Sequence, residues 1–342
     1  MEESNVLNDL TIITVNYNTR EYLRHCLSYV PASAEGLRYE MIVVDNGSSD
    51  GSGKMVRDEF PWVSLIVNDS NVGSTRAYNQ AIRRTRSRHV VLLNSDTVPL
   101  PGALSTLVRF ANSCSGEVAI IGPKILNPDD SVQVSISGFP TLTKQFFHAN
   151  PWLRGIALRL LEWHPLRKLF SSSSSRNLQS FWDYDSLREV DYVTAACMLI
   201  TRAAIDDVGL LDEDYFLYIE ECDWAFRMRK KGYKVLFYPG CSIVHFGGAS
   251  SGQKLGRKQI ANRFLLEYLR SITLFYHKNY STSQALFLRL INVEGFALQL
   301  LGALLLFPYH RIQGQGAQNS QAIRVYAMAI QIMLSVDVRG RR

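Results

Sequence analysis

A short apolar run that ends abruptly in polar residues is the feature that most constrains the fold of this chain. Residues 90–93 are Val-Val-Leu-Leu, which is typical of a strand buried on both faces of a parallel sheet. Asn94, Ser95 and Asp96 follow directly. In an extended backbone Asn94 and Asp96 point to the same side, and ligands of open α/β sheets bind beyond the carboxyl ends of the strands. Asp96 therefore suits a divalent cation that also holds a diphosphate, with Asn94 as a neutral neighbour. The alternative is a turn in which Asp96 caps the next element.

Strands and helices alternate along the rest of the N-terminal half. Apolar runs predict strands at residues 9–16, 40–45, 63–67 and 118–126, and helical spacing predicts helices between them, one of them beginning at Pro101. This alternation predicts an α/β fold, a doubly wound and mostly parallel sheet with helices on both faces. Polar residues follow three of the strands, at 16–18, 45–46 and 94–96. Because these strand ends share one edge, the polar residues should line a nucleotide-sized pocket there.

The phosphate-binding motifs of two common nucleotide folds are missing from the sequence. The first strand-to-helix turn contains no G-x-G-x-x-G, and no G-x-x-x-x-G-K-[ST] occurs anywhere. A dinucleotide dehydrogenase and a P-loop NTPase are therefore disfavoured. Phosphate must then be held by a metal ion and by side chains rather than by a glycine-rich loop.

The second half departs from the alternating pattern. Residues 140–189 are predicted to be an insertion whose Leu-, Trp- and Arg-rich part, 151–170, forms a membrane-surface helix or a lid. A strand is expected at 191–200, and a helix with acids in its first turn at 220–232. We predict a nucleotide-binding and catalytic domain at 1–255 and a helical region at 256–342.

The C-terminal region contains an apolar segment at 295–307 that is expected to be too short to cross a bilayer. It is either a buried core helix or, as its basic flanks favour, a segment on a membrane surface. Because no run reaches the roughly 20 apolar residues that a bilayer-spanning helix needs, we expect no such helix in the chain.

Composition narrows the setting. The net charge of +6 suits anionic partners such as nucleotides and phospholipid surfaces; no nucleic-acid partner is expected. The five cysteines are scattered and contain no C-x-x-C pair, which favours reduced thiols over a zinc site or disulfides. We see no signal peptide in the first residues. The expected location is the cytoplasm, at the inner face of the cell membrane.

Eight short motifs, taken in order, resemble glycosyltransferase family 2 and, within it, the bacterial rhamnosyltransferase-like members. The resemblance covers about residues 9–280, and each motif falls on a predicted strand or helix end. The motifs are Val-Asn-Tyr-Asn at 15–18, Val-Val-Asp-Asn-Gly-Ser at 43–48, Asn-Val-Gly at 71–73 with Asn79, Leu-Asn-Ser-Asp at 93–96, Thr-Ala-Ala-Cys-Met at 194–198, Gly-Leu-Leu-Asp-Glu at 209–213, Tyr-Ile-Glu-Glu-Cys-Asp at 218–223 and His-Phe-Gly-Gly-Ala-Ser at 245–250.

The resemblance implies a GT-A fold, a UDP- or dTDP-sugar donor with rhamnose favoured, Mg²⁺ or Mn²⁺, and inverting transfer to a hydroxyl of a cell-surface glycan or lipid-linked acceptor. Residue by residue, Asp45 matches the acid that recognises base and ribose, and Asp96 the metal-binding acid of the D-x-D motif. His245 matches a later metal ligand, and Glu221 the catalytic acid. The implied donor-binding residues are Asn16, Asn18, Asp45, Asn71, Gly73, Asn79, Asn94 and Asp96.

Two positions depart from the family pattern. Asn94 replaces the first acid of D-x-D, although an amide oxygen can still bind a metal or reach the ribose. Glu221 replaces the usual Asp, so the base remains open between Glu221, Glu220 and Asp223. Displacement at the anomeric carbon needs such a base and a cation at the departing diphosphate. The helix dipole is expected to keep a carboxylate at the helix N-terminus ionised.

Two other classes of protein compete with this interpretation. A nucleotidyltransferase on a similar sheet would need a glycine-rich loop after the first strand, and residues 16–20 contain no glycine. A non-catalytic nucleotide-sugar-binding protein would have no need of the base. The joint presence of Asp45, Asp96, Glu221 and His245 therefore favours the enzyme.

Overall fold

The computed structural model of this chain describes residues 8–153, 155, 183–247, 258–313 and 315–335. It divides into two compact units. The sheet unit comprises Met1–Phe139 and Tyr184–Ala261, and the helical unit comprises Pro140–Asp183 and Asn262–Arg342. The predicted insertion is thus largely grouped with the C-terminal helices, and most of its predicted surface helix lies outside the described residues.

The sheet unit is built on a mixed, mostly parallel sheet. Its strands, with the short pair β7 and β9, are β1 (Leu10–Asn16), β2 (Tyr39–Asp45), β3 (Ser64–Val67), β4 (His89–Leu93), β5 (Thr97–Pro99), β6 (Val118–Leu126), β7 (Ile136–Ser137), β8 (Arg188–Glu189), β9 (Tyr192–Val193), β10 (Cys197–Thr201) and β11 (Lys234–His245). Within the described residues nine strands follow the order β3-β2-β1-β4-β10-β6-β11-β5, with β8 paired to β11. Strands β3, β2, β1, β4, β6 and β11 run in one direction, and β10, β5 and β8 run in the other.

Helices cover both faces of this sheet, as the alternation predicts. In β4, Val91 and Leu93 face one apolar core, whereas Val90 and Leu92 face the other. The first core is closed by α1 (Arg20–Ser33), α2 (Ser52–Glu59) and α4 (Ala103–Ser113), and the second by α3 (Ser74–Ile82), α6 (Arg202–Val208) and α7 (Glu220–Lys230). The predicted fold class is confirmed.

Three predicted boundaries differ from the structure. Strand β4 ends at Leu93, because both the N–H and the hydroxyl of Thr97 donate to the carbonyl of Asn94, at 3.3 and 2.6 Å, and close a turn. The extended backbone expected at 94–96 is therefore wrong, and the alternative turn is present. The helix expected to begin at Pro101 begins at Ala103. The strand expected at 191–200 is interrupted between β9 and β10.

Long helices make up most of the helical unit. They are α5 (Leu142–Ala149), α8 (Lys258–Asn279), α9 (Thr282–Ile312) and α10 (Gly316–Ser335). The hydroxyl of Ser281 caps α9 by accepting from the N–H of Gln284 at 3.2 Å. Gly295 lets α5 approach α9 closely, since a Cβ there would lie 2.6 Å from the Ala149 carbonyl oxygen.

Helix α9 corrects the expectation that no segment could span a bilayer. Among the described residues, its stretch Thr282–Tyr309 is long and apolar enough to cross a membrane, by length and composition alone. The expected apolar segment covered only residues 295–307, whereas the helix begins earlier and includes two charged residues, Arg289 and Glu294. The structure satisfies both: Arg289 donates to the carbonyls of Met333 and Leu334 at 2.5 and 3.0 Å, and Glu294 accepts from the Asn150 amide at 3.1 Å.

Candidate active site at the carboxyl edge of the sheet

Amide side chains tie together the loops that follow β2 and β3. The Oδ1 atom of Asn46 accepts from the Asn68 amide at 3.0 Å and from the N–H of Val72 at 3.1 Å. Its Nδ2 atom donates to Asn71 Oδ1 at 3.0 Å. Sequence reasoning placed Asn46 among the polar residues expected to line the pocket but gave it no role of its own. Asn46 fixes the shape of the pocket in which Asn71 was predicted to bind the donor.

Asp45 is buried at the end of β2 and is oriented by its neighbours. Its Oδ1 atom accepts from the N–H of Ser48 at 3.3 Å and from the Asn16 amide at 3.4 Å. Gly53 leaves room for the other oxygen, because a Cβ there would lie 2.7 Å from Oδ2. Asn16 is itself buried and accepts from the Thr19 hydroxyl at 2.6 Å. Asn16 thus helps to orient the Asp45 carboxylate by donating a hydrogen bond to it.

The loop after β1 reaches two other parts of the site. The Asn18 side-chain oxygen accepts from the N–H of Ser49 at 2.8 Å, which joins this loop to the one after β2. The Thr19 hydroxyl lies 2.8 Å from the Ser95 hydroxyl, in the turn that contains Asp96. The predicted residues Asn16, Asn18, Asp45 and Asp96 therefore lie on connected loops at one edge of the sheet.

The loop that ends in Gly73 is locked to the segment before α7. Gly73 has φ +90°, and a Cβ there would lie 2.6 Å from the carbonyl oxygen of Phe216. The N–H of Ser74 donates to that same oxygen at 2.9 Å, and the N–H of Gly73 donates to Asn71 Oδ1 at 2.9 Å. The Ser74 hydroxyl donates to Glu220 Oε1 at 2.5 Å. The donor-side loop is thus in direct contact with Glu220, one of the three candidate bases.

The structure brings Asp96 and His245 together. The register of β5 on β11 places His245 opposite Thr97, and His245 Nε2 lies 3.2 Å from Asp96 Oδ1. Two cis ligands of an octahedral cation with bonds of about 2.1 Å would lie about 3 Å apart, so this spacing fits a shared metal ion. A carboxylate oxygen with an imidazole nitrogen suits Mn²⁺. The described residues contain no group of three or more His, Cys, Asp or Glu that could hold a metal. A metal here would take its other ligands from the diphosphate and water.

The amide oxygen of Asn94 is engaged by a residue that sequence reasoning did not identify. The buried hydroxyl of Tyr78 donates to Asn94 Oδ1 at 3.3 Å. Burial and the nearby charges of Glu220, Glu221 and Asp96 raise the pKa of Tyr78, so its hydroxyl stays a donor. The Asn94 oxygen, which was expected either to bind a metal or to reach the ribose, therefore accepts a hydrogen bond from Tyr78 in this structure. The Tyr78 hydroxyl thus links α3 to the turn that contains Asp96.

The three candidate bases differ in what surrounds them. Asp223 is buried, accepts from Arg227 Nε at 2.8 Å and from the Tyr215 hydroxyl at 3.2 Å, and so anchors α7. Glu220 is buried against Ser74, and its Oε2 atom has no hydrogen-bond partner among the described residues. Glu221 is partly exposed. Of the three candidates, Glu221 is thus the one that is partly exposed, whereas Asp223 makes contacts that stabilise α7.

The backbone before α7 is strained. Tyr218 and Ile219 have φ +67° and +69°, a left-handed conformation that is unfavourable for an aromatic and a β-branched side chain. Such strain persists only where surrounding contacts impose it, and it is concentrated at functional sites. Here the left-handed conformation of Tyr218 and Ile219 sets the orientation of the first turn of α7, which carries Glu220 and Glu221.

Burial raises the pKa of both glutamates. For Glu221, burial acts first, and the charge of Glu220 raises the pKa further. For Glu220, burial outweighs the hydrogen bond from Ser74, which lowers the pKa. The expectation that the helix dipole would keep the base ionised is therefore wrong in direction, because desolvation is the larger effect. A base with a raised pKa is well matched to proton transfer near neutral pH.

One predicted donor-binding residue lies elsewhere. Asn79 is fully buried on α3, and its amide donates to the Leu211 carbonyl at 2.8 Å and to Glu213 Oε1 at 3.0 Å. Its side chain is thus directed at the 211–213 loop, and it supports the fold rather than facing the donor. Asn71 and Gly73, which belong to the same motif, lie instead in the loop before α3, where the N–H of Gly73 donates to Asn71 Oδ1.

Comparison with known proteins finds one matching family and several relatives. Residues 11–151 match the family model described as glycosyl transferase family 2. The chain is 26% identical over 263 residues to the N-acetylglucosaminyl-diphospho-decaprenol L-rhamnosyltransferase of Mycobacterium tuberculosis, covering 71% of this chain and 78% of the relative. It is 24% identical to the low-salt glycan biosynthesis hexosyltransferase Agl10 of Haloferax volcanii, covering 68% of this chain and 66% of the relative.

A solved structure shares the fold. The mannosyltransferase PcManGT from Pyrobaculum calidifontis, in complex with GDP-Man and Mn²⁺, aligns with a TM-score of 0.50 and 14% identity, over 96% of this chain and 88% of that one. The fold and the matched residues together define a glycosyltransferase of the GT-A type. Residues 11–151 thus match glycosyltransferase family 2, and the chain is similar to a rhamnosyltransferase, in agreement with the resemblance of its motifs.

Proposed function

We propose that this protein is an inverting, metal-dependent glycosyltransferase that moves a sugar from a UDP- or dTDP-sugar to a hydroxyl of a lipid-linked or cell-surface glycan acceptor. One observation carries the proposal. At the carboxyl edge of the sheet, His245 Nε2 lies 3.2 Å from Asp96 Oδ1, and the Ser74 hydroxyl joins the donor-side loop to the candidate bases by donating to Glu220 Oε1 at 2.5 Å. Residues 1–255 would supply the donor site and the chemistry.

Glu221 is the proposed base. It would take the proton from the acceptor hydroxyl as the oxygen attacks the anomeric carbon, and the configuration at that carbon would invert. Its partial exposure lets an acceptor approach. Glu220, held by Ser74 at 2.5 Å, keeps a second carboxyl beside it and maintains the raised pKa.

Asp96 and His245 would hold the divalent cation. When bound, Mg²⁺ or Mn²⁺ stabilises the charge that develops on the departing diphosphate. The imidazole nitrogen favours Mn²⁺ over Mg²⁺, since Mg²⁺ prefers oxygen ligands alone. Asp45, supported by Asn16, would receive the base and ribose, and the loop from Asn71 to Gly73 would close the pocket.

Rhamnose is the proposed sugar because the Mycobacterium tuberculosis relative is named as an L-rhamnosyltransferase. That name also supports a polyprenyl-diphosphate-linked acceptor. Thermal shift with UDP-, dTDP- and GDP-sugars, with and without Mn²⁺, tests the donor. A cognate donor at about a hundred times its dissociation constant should stabilise the protein by roughly 2.7 kcal/mol. Absence of any shift with all donors in Mn²⁺ would contradict the proposal.

A lipid-linked acceptor agrees with the surface of the helical unit. Apolar side chains three or four residues apart along α9 are exposed, among them Leu305 at 71% and Ile312 at 83%. Only 22% of the most apolar part of this helix is buried. Within Thr282–Tyr309 the two charges, Arg289 and Glu294, are satisfied by the protein. We propose that α9 contacts the inner face of the cell membrane.

Flotation with anionic vesicles tests this contact. The wild-type protein should float at low salt, and the double variant Leu301→Glu with Leu305→Glu should stay at the bottom. Tyr29→Glu with Trp62→Glu, which changes two exposed apolar residues of the sheet unit, should float like the wild type. Washing with high salt and then with carbonate separates surface binding from insertion. If the wild type never floats, α9 packs against protein instead.

A further inference from the structure

A hydrogen-bonded hairpin approaches His245 from the side opposite Asp96. The N–H of Asn127 donates to the Ser131 carbonyl at 2.8 Å, and the N–H of Gln133 donates to the Ile125 carbonyl at 2.9 Å, which folds the chain back after β6. This places Gln133 Oε1 2.7 Å from His245 Nδ1. Neither the family motifs nor the proposed chemistry assigns Gln133 a role.

The donor and acceptor of each side-chain hydrogen bond in this hairpin can be assigned by starting from Asp129, the member most distant from His245 in the chain of hydrogen bonds. The Asp129 carboxylate only accepts, and hydrogen bonds from Ser131 lower its pKa. The Ser131 hydroxyl therefore donates to it at 2.5 Å, and accepts from Asn127 Nδ2 at 2.9 Å. Asn127 Oδ1 then accepts from Gln133 Nε2 at 2.8 Å, which leaves Gln133 Oε1 to face the histidine. A flipped Gln133 amide would set two oxygens 2.8 Å apart.

An amide oxygen can only accept, so His245 Nδ1 must carry a proton. In the neutral ring Nε2 is then unprotonated, and its lone pair faces Asp96 Oδ1 at 3.2 Å. Two acceptors at this distance repel each other unless a positive charge, either a proton on Nε2 or a metal ion, lies between them. By engaging Nδ1, the hairpin leaves Nε2 as the ring nitrogen that faces Asp96 and is open to a metal ion.

We propose that Gln133 is a positioning residue that fixes His245 in the Nδ1–H tautomer and thereby directs Nε2 toward the divalent cation beside Asp96. This inference rests on the proposed function for the role of the metal. Hydrogen bonds to the second nitrogen of a metal-binding histidine commonly set its tautomer and ring orientation, and their loss typically costs 10–100-fold in metal affinity.

The tautomer can be measured directly. Long-range proton–nitrogen correlation spectra of the ¹⁵N-labelled, metal-free full-length protein report which ring nitrogen is protonated, and a His245→Gln variant assigns the signal. The wild type should show the Nδ1–H form. Gln133→Ala should shift His245 toward the Nε2–H form, and Gln133→Glu, whose carboxylate also accepts, should restore Nδ1–H. Val134→Ala, a change at an exposed residue of the same hairpin, is the matched control and should resemble the wild type.

Mn²⁺ affinity, read from the electron paramagnetic resonance signal of unbound Mn²⁺, is the second measurement. Gln133→Ala should raise the dissociation constant by about 10–100-fold, and Gln133→Glu should restore it. The proposal is overturned if Gln133→Ala keeps both the wild-type tautomer and the wild-type affinity. A wild type that binds no Mn²⁺ would instead contradict the metal in the proposed function, and the tautomer spectra would still decide whether Gln133 orients His245.

Discussion

Two pairs of ionisable side chains at the carboxyl edge of the sheet differ in kind. Asp96 and His245 come from distant parts of the chain and set a carboxylate oxygen 3.2 Å from an imidazole nitrogen. Glu220 and Glu221 are neighbours on one helix, and each is an acid. Asp96 and His245 can share a cation. Glu220 and Glu221 resist being ionised together, because the charge of Glu220 raises the pKa of Glu221. The contrast shows how one site can stabilise a departing anion and still hold a group ready to accept a proton.

The largest expected effect comes from breaking the first pair. Asp96→Ala should lower transfer by about 10³-fold or more, because a bound cation contributes several kcal/mol to the transition state. Mn²⁺ binding should be lost, and circular dichroism should show an intact fold. Asp58→Ala, which removes an exposed carboxylate on α2, is the control. Full activity of the wild type in excess chelator would show that transfer needs no metal ion and would contradict the role given to Asp96 and His245.

Removing the proton acceptor should have the next largest effect. Glu221→Gln should lower kcat by about 10²–10⁴-fold, which is the usual contribution of positioned proton transfer. Donor affinity should hardly change, because the interaction forms in the transition state. Glu220→Gln and Asp223→Asn, measured in the same transfer assay, are the matched neighbours. A dead Glu220 or Asp223 variant beside a near-normal Glu221→Gln would transfer the role of base to that residue.

Disturbing the contact between the Gly73 loop and the segment before α7 should have a smaller effect. It should alter the surroundings of Glu220 and Glu221 and leave those of Asp96 and His245 unchanged. Gly73→Ala places a Cβ against the Phe216 carbonyl at φ +90° and should cost about 1–3 kcal/mol in stability. The melting temperature should fall by roughly 2–10 °C, and turnover should fall with it. Mn²⁺ affinity should stay near the wild-type value. Gly116→Ala, where a Cβ would have nothing within 4 Å, is the control. Equal melting temperatures for the two variants would show that the Phe216 contact does not constrain the loop.

The smallest expected effect is a shift in pH dependence. The base must be ionised, so kcat/KM should rise with pH through the pKa of Glu221, and the charge of Glu220 raises that pKa. Glu220→Gln keeps an acceptor for Ser74 but removes the charge, so the acidic limb of the profile should move to lower pH. An unmoved limb would mean that the two carboxyls do not interact.

Stability offers a check on the sign of this shift. Because the folded pKa values of both glutamates lie above the ordinary value of 4.5, the folded state holds their protons more tightly than the unfolded state. The free energy of unfolding should therefore be highest below that value and fall as pH rises through the raised pKa values. The fall should be shallower in Glu220→Gln, as thermal denaturation at several pH values would show.

The sequence predicted the features of the fold that follow from where apolar strands end in polar residues. The sheet with helices on both faces, the loops that carry Asp45 and Asp96, and the first turn of α7 all follow from apolar runs and the polar residues that end them. The approach of His245 to Asp96 followed only from the family resemblance, since the pairing of β5 with β11 is not visible in periodicity. The choice of base required burial, which local sequence does not give.

What escaped prediction depends on partners distant in the chain. Tyr78 looks like an ordinary core aromatic of α3, and only its distance to Asn94 shows its role. Asn79 belongs to the same motif as Gly73, but the 211–213 loop determines where its amide points. The length of the apolar helix α9 was underestimated, and the partner that satisfies its Glu294 is Asn150, which follows α5 and is distant in the chain.

The left-handed residues Tyr218 and Ile219 have a consequence for anyone who tries to make this protein more robust. Replacing Tyr218 by glycine would relieve roughly 1–2 kcal/mol of backbone strain, and a search for heat-resistant variants would be drawn to it. The same replacement would widen the range of directions open to Glu221. Selection for survival on heating and selection for turnover would therefore pull this position toward different residues.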